Sequence, residues 1–357
     1  MKKVFLLVIL LLIVPFRVNA YNLGEAAILM EEDTKRVLVS KNMSKKKLIA
    51  STTKIMTAVI AIESEKLNKT VTVTDKVLES YGSAIYLSIG EKMKLEDMVY
   101  GLMMQSGNDA ALMIAEYLGG EEKFVEKMNE KAKEIGMKNT VFTNPHGLDE
   151  KTENYSTAYD MALLMRYAND DPIFRKITGC KKHTVKTEEK TYVWANKNKL
   201  LYTYEYTTGG KTGYTDKAKR TLVTSASKDG MNLIVVTLND PNDFENHEEL
   251  YEYGFDNYSM VKVFDKDKMN IENKNIYALD DYYYPVTDAE KDLINIEYNL
   301  KDKDDYTNDE EVGKAIIKLG GKTIHEEKLY INIKEKNNTK KGWFSKFLDM
   351  LFWKKNG

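Results

Sequence analysis

Two spacings of apolar residues alternate along the chain. EAAILMEEDTKRVLVSKN predicts two short strands, Ala26–Met30 and Val37–Val39, joined by a polar turn. Ile55, Met56, Ala58, Val59 and Ile60 then predict a helix, apolar on nearly every side, that runs to about Ser64. VTVTDKV and SAIYLSIGEKM read as short extended or irregular pieces around Gly82 and Gly90. Helical spacing returns over Leu95–Leu118, interrupted by QSGND, and again over Phe124–Ile135, which Gly136 closes. VFTNPHGLD is a loop, since Asn-Pro and His-Gly are turn dipeptides, and Tyr159–Ala168 is helical. After YTTGG, the run RTLVTSASKDGMNLIVVTLND predicts two strands with Asp229-Gly230 as the hairpin turn.

Composition shifts near Met260 toward Lys, Asp, Asn and Tyr, with strand-like VKVF, IYALDDYYYPV and INIEYNL and a hairpin around Gly320-Gly321. Residues 263–339 are therefore expected to form a small all-β domain, following a domain over 21–262. Residues 340–357 close the chain as an amphipathic helix: Phe344, Phe347, Leu348 and Leu351 recur at helical spacing, widened by Trp343, Met350 and Trp353. Five lysines in that stretch against Asp349 suit an anionic membrane surface. At the other end, Lys2 and Lys3 precede the apolar run Val4–Val14, and Val18-Asn19-Ala20 ends it. Residues 1–20 thus read as a secretory signal peptide, the run being too short to span a bilayer comfortably. The expected location is outside the cell, peripheral on the outer face of the cytoplasmic membrane.

The chain has 357 residues, 43% hydrophobic and 30% charged, which is ordinary for a globular protein. A net charge of −2, falling to −5 without Lys2, Lys3 and Arg17, gives no footprint for nucleic acid. Cys180 is alone, so there is no intramolecular disulfide. His183, His247 and His325 show no ligand spacing, and neither metal nor cofactor is expected. His146 in NPHGLD reads as a loop-structuring residue.

The chemistry-bearing pattern is Ser51-Thr-Thr-Lys54 at the start of the first helix. A lysine among so many apolar residues is costly unless its amine has a partner or a task. Residues three apart share a helical face, so Lys54 can reach the Ser51 hydroxyl, and a lysine made neutral by burial can act as its base. By itself the pattern is weak, because S-x-x-K recurs at Ser44/Lys47 and Ser225/Lys228. Order and place add weight: Ser106-Gly-Asn108 follows at a break between helices, then Lys211-Thr-Gly213 at a strand start.

These three motifs in this order resemble the penicillin-recognising serine acyl-transferases. IASTTKIMTAVIAIE, SGNDAALMIAEYLGG, FVEKMNEKAKEIGMKNTVFTNPHGLD and GGKTGYT narrow the likeness to low-molecular-mass penicillin-binding proteins, the serine-type D-alanyl-D-alanine carboxypeptidases, over about residues 22–260. The resemblance implies an α/β (α+β) transpeptidase/β-lactamase-like catalytic domain, an antiparallel sheet flanked by helices with a mainly helical second lobe. It implies removal of the terminal D-alanine from peptidoglycan stem pentapeptides, with β-lactam antibiotics as inhibitors. Carried over residue by residue, Ser51 is the nucleophile, Lys54 its base and Ser106 a proton relay. Asn108 holds the donor amide, Lys211 and Thr212 bind the terminal carboxylate, Gly213 admits the substrate backbone, and the Tyr214 N–H completes the oxyanion hole. Lys219 and Arg220 depart from the pattern, standing where many members carry a glycine and an aromatic residue. A class A β-lactamase would need an E-x-x-L-N motif between the second and third motifs, and none is there. A catalytically idle wall-binding protein would not keep every motif residue.

Overall fold

The computed structural model describes residues 23–333 except 268, 272, 273 and 304. The expected signal peptide and terminal helix lie outside the described residues. The chain divides into two compact units between Asp256 and Asn257. The boundary expected at 262/263 falls inside a strand, Ser259–Phe264.

The first unit is built on a five-stranded antiparallel sheet. Its strands are β1 (Ala26–Glu31), β2 (Val37–Lys41), β3 (Thr207–Thr215), β4 (Lys219–Lys228) and β5 (Met231–Leu238), in the order β2-β1-β5-β4-β3. Every residue of β1 is buried, as expected where both faces of a strand are covered. Alternation sorts its side chains. Ala26, Ile28 and Met30, with Ile234 and Val236 of β5, join the helical core on one face. On the other face α7 (Asp243–Asn257) packs so closely at Gly254 that an added Cβ would lie 2.6 Å from Leu233 Cδ1.

The helical lobe holds α1 (Lys54–Glu63), α2 (Leu95–Met104), α3 (Asn108–Tyr117), α4 (Glu121–Ile135), α5 (Ala158–Asn169) and α6 (Pro172–Thr178). Apolar on nearly every side, α1 runs through the middle and touches the other five, while α5 lies on the sheet. Gly136 adopts the left-handed conformation that ends α4 (φ 90°). Sequence spacing missed α6, α7 and the hairpin Lys182–Lys186/Thr191–Ala195.

The second unit is all β. A five-stranded sheet carries Glu311–Leu319 and Lys322–Ile331 as its long hairpin, turning at Gly320 and Gly321, both at positive φ. Its small core includes Phe264, Ile276, Val312, Ile317 and Leu329. No helix among the described residues is long and apolar enough to cross a membrane.

Candidate active site

Ser51 does not cap a helix. It lies in a 3-10 turn, Ala50–Thr53, that runs into α1, whose first residue is Lys54. Ala50 sits at φ 48°, a strained setting for a residue with a side chain, and three separate segments clamp this turn. Thr221 of β4 donates to the Ile49 carbonyl at 3.1 Å. Thr53 Oγ1 accepts from Asn154 at 3.0 Å, and Thr57 donates to the Pro145 carbonyl at 2.6 Å. The NPHGLD loop presses so close that a Cβ on Gly147 would lie 1.9 Å from the Ala50 carbonyl oxygen. That glycine has φ 87°, so both conformation and space require it.

Lys54 is fully buried. Its Nζ lies 3.0 Å from Ser51 Oγ, 2.7 Å from Asn108 Oδ1 and 2.5 Å from the His146 carbonyl oxygen. Burial first, and then the Lys211 charge, lower its pKa well below that of a free lysine. The last two neighbours can only accept, so a neutral amine gives each an N–H and keeps its lone pair for the Ser51 hydroxyl. Asn108 is held in the required orientation because its Nδ2 donates to the Tyr81 carbonyl at 2.6 Å. Ser51 and Lys54 therefore form a serine–lysine pair, with Asn108 orienting the amine.

His146 contributes its backbone carbonyl here. Its Nδ1 accepts from the Leu148 N–H at 3.1 Å, and burial, with the Lys54 charge, lowers its pKa to about 3. The ring is a neutral loop brace, the role expected from sequence.

Ser106, Thr212, Gly213 and Tyr214 all line one open cavity with Ser51, of about 340 Å³. Ser106 stands at φ 62° in the break between α2 and α3, a left-handed setting that turns the chain sharply where it lines the cavity with Ser51. Gly213 brings β3 onto the turn: a Cβ there would lie 3.0 Å from the Ser51 nitrogen and 3.1 Å from the Thr52 nitrogen. Asn108 and Lys211 are not among the lining residues. Lys211, within β3, is buried, its Nζ donating to the Thr212 carbonyl at 2.6 Å, and burial aided by Lys197 pushes its pKa down to about 7.

Several residues at the site escaped sequence reasoning. Lys197 and Lys199 line the cavity, as do Asp243 and Phe244, together with Arg220, which the sequence marked only as a departure from the family pattern. Lys197 is exposed as a residue, yet its Nζ donates to the Gln105 carbonyl at 2.7 Å and its surroundings lower its pKa. Arg220 is paired with Asp243. Asp109 accepts from the Ile85 and Leu87 N–H groups and so pins residues 83–88 against α3. Its place immediately after Asn108 was the available signal. Among the described residues no cluster of three metal-ligating side chains occurs.

Residues 19–242 match the family model described as D-alanyl-D-alanine carboxypeptidase, and residues 248–336 match that of the penicillin-binding protein 5 C-terminal domain. The chain is 32% identical to D-alanyl-D-alanine carboxypeptidase DacF of Bacillus subtilis, over 91% of this chain and 88% of that one. It is similar to the crystal structure of penicillin-binding protein 5 from Haemophilus influenzae, with TM-score 0.74 and 28% identity over 87% of this chain and 96% of that one. A mutant DD-transpeptidase of Streptomyces K15 is similar over 65% of this chain and 98% of its own, with TM-score 0.62 and 29% identity.

Proposed function

The chain belongs to the D-alanyl-D-alanine carboxypeptidase family and is a serine-type, penicillin-binding D-alanyl-D-alanine carboxypeptidase, and from that premise we propose which of its groups carry the reaction. Ser51 Oγ attacks the penultimate D-alanine carbonyl of the stem peptide while neutral Lys54 takes its proton. The observation that carries this is the 3.0 Å contact between Ser51 Oγ and a fully buried Lys54 Nζ. Negative charge on the carbonyl oxygen is met by backbone N–H groups of Ser51 and Tyr214, brought near each other by the close approach of Gly213. Ser106 relays the proton from Lys54 to the departing amine. Asn108 serves Lys54 through Oδ1 and the donor amide through its second Nδ2 hydrogen. Thr212 meets the terminal carboxylate, with the buried Lys211 adding its charge from below. Water then attacks the Ser51 ester, the proton returns through Lys54, and the shortened peptide leaves. A β-lactam acylates the same oxygen.

Peptide mapping after penicillin treatment tests the assignment. The adduct is expected on Ser51, and Lys54→Ala is expected to slow its formation by about 10²–10⁴-fold. An adduct on Ser44, Ser106 or Ser225 would refute it. We further propose that the enzyme is exported and held at the outer face of the cytoplasmic membrane by residues 340–357. The basic, aromatic composition of that segment and the signal-like residues 1–20 support this reading.

A further inference from the structure

The strand that carries Tyr214 is an edge of its sheet: β3 is hydrogen-bonded to β4 alone among the described strands. Past Tyr214 the chain turns at once, and β4 begins at Lys219, whose φ of 61° strains a residue with a side chain. The sheet thus holds this turn from one side only. A second tie comes from the NPHGLD loop. The Thr215 hydroxyl donates to Asp149 Oδ2 at 2.5 Å and accepts from the Ala218 N–H at 3.0 Å. Asp149 is 5% exposed, and its backbone carbonyl accepts from Lys217 Nζ at 2.7 Å. The rest of the loop is anchored without Asp149. The Pro145 carbonyl accepts from Thr57, the His146 carbonyl accepts from Lys54, and Asn154 donates to Thr53. Asn144 braces it from within, accepting from the Gly147 N–H at 2.6 Å and donating to the Leu148 carbonyl at 3.0 Å. The loop is therefore the fixed body, and the turn between β3 and β4 is what it holds. These contacts close a ring: Ser51 and Lys54, then His146 to Asp149, then Thr215 back to Gly213, which lies against the Ser51 nitrogen.

We infer that Asp149 is a positioning residue for acyl transfer: through Thr215 it holds the Tyr214 N–H at the place, relative to Ser51 and Lys54, that the tetrahedral intermediate requires. This rests on the Ser51 and Tyr214 assignments proposed above. Asp149 is not among the residues that line the cavity, so it acts through the strand and not on the peptide. The three acceptors around Lys54 stay where they are without it, so the base is left as it was. An intact peptide carries no full charge on its carbonyl oxygen, whereas the tetrahedral adduct does. Loss of the Asp149–Thr215 contact therefore slows acylation and deacylation together and spares the binding of intact peptide.

The test pairs Thr215→Val, nearly isosteric and lacking only the hydroxyl, with Thr215→Ser, which keeps it. It pairs Asp149→Ala with Asp149→Asn, which keeps an acceptor. On an N-acyl-D-Ala-D-Ala peptide, kcat is expected to fall roughly 10- to 100-fold in Thr215→Val and in Asp149→Ala, as for a misplacement of about 1 Å, with KM little changed. The double variant Thr215→Val/Asp149→Ala should be no slower than the slower single one, because both remove the same contact. Thr215→Ser and Asp149→Asn should recover most of the wild-type rate. Affinity for a peptide boronic acid, whose boron becomes tetrahedral on Ser51 Oγ, should fall in parallel with kcat/KM. The rising limb of the pH–rate profile should stay in place. Near-wild-type rates in both disrupting variants, a loss carried by KM, or losses that multiply in the double variant overturn the inference. So does a melting temperature that falls in step with the rate across the four single variants. Failure of the wild type to take the boronic acid on Ser51 would instead overturn the assignment beneath it.

Discussion

A lysine amine is a base only when it has lost its proton, and two neighbours arrange this for Lys54: the apolar helix around it and the buried charge of Lys211. The second can be removed on its own. Without Lys211 the Lys54 pKa rises, its neutral fraction near pH 7 falls, and acylation is lost at neutral pH but recovered as pH climbs. For Lys211→Gln, the rising limb of the pH–rate profile for penicillin acylation should therefore move to higher pH. A limb that stays in place while the rate drops at every pH would mean that Lys211 acts on the ligand alone. Motif reading found Ser51, Lys54 and Asn108, which the structure joins through one amine. It read the His146 ring as a loop brace but had no means of finding its carbonyl beside Lys54, because a backbone carbonyl is a group every residue carries. Lys197 escaped for a related reason: it reaches the cavity from after a hairpin, at no characteristic distance from any motif.

Among the elements, those whose apolar period matched their burial were legible. The strands β1, β2, β4 and β5 and the helices α1 to α5 lie within a few residues of where their spacing put them. Helix α7 was missed because Asp243, Asn246 and His247 on its inner face are polar; they are buried by pairing with Arg220, Asp240, Thr224 and Thr237. A pattern that counts apolar residues cannot see a face satisfied by hydrogen bonds. The NPHGLD loop was legible as a loop but not as the backing of the Ser51 turn, since the requirement at Gly147 comes from Ala50, 97 positions earlier in the chain. Gly147→Ala supplies the check. With a methyl group 1.9 Å from a carbonyl oxygen and φ at 87°, loop and turn must part. Acylation should fall at least about 10-fold and stability by roughly 1–3 kcal/mol, read by penicillin labelling and thermal melting. Unchanged labelling would mean that the turn does not depend on this loop.

For the whole molecule, the two units divide where composition begins to change, near residue 260. The β-rich second unit was legible from its alternating strands and its Gly320-Gly321 turn. The proposed membrane attachment is tested at this scale. Each large apolar side chain of the terminal segment is worth about 1.5–3 kcal/mol if fully withdrawn from water, and each lysine near anionic lipid about 1 kcal/mol. A chain ending at Asn338 should keep its turnover of small peptides and lose binding to anionic liposomes. The chain lacking only residues 1–20 should bind them, less tightly as salt rises. If neither binds, or if the truncation abolishes turnover, the attachment is wrong. The clamped turn has one more consequence, in time instead of space. Lys54 finds its acceptors 54 and 92 residues away, and the Ile49 carbonyl takes its hydrogen bond from 172 residues on. Contacts of such high order form late. In refolding from denaturant, labelling by penicillin should lag the recovery of helical circular dichroism, and simultaneous recovery would contradict this. If the chain is exported unfolded, as proposed above, it carries in transit a serine with no more reactivity than any other, and arms it only on folding.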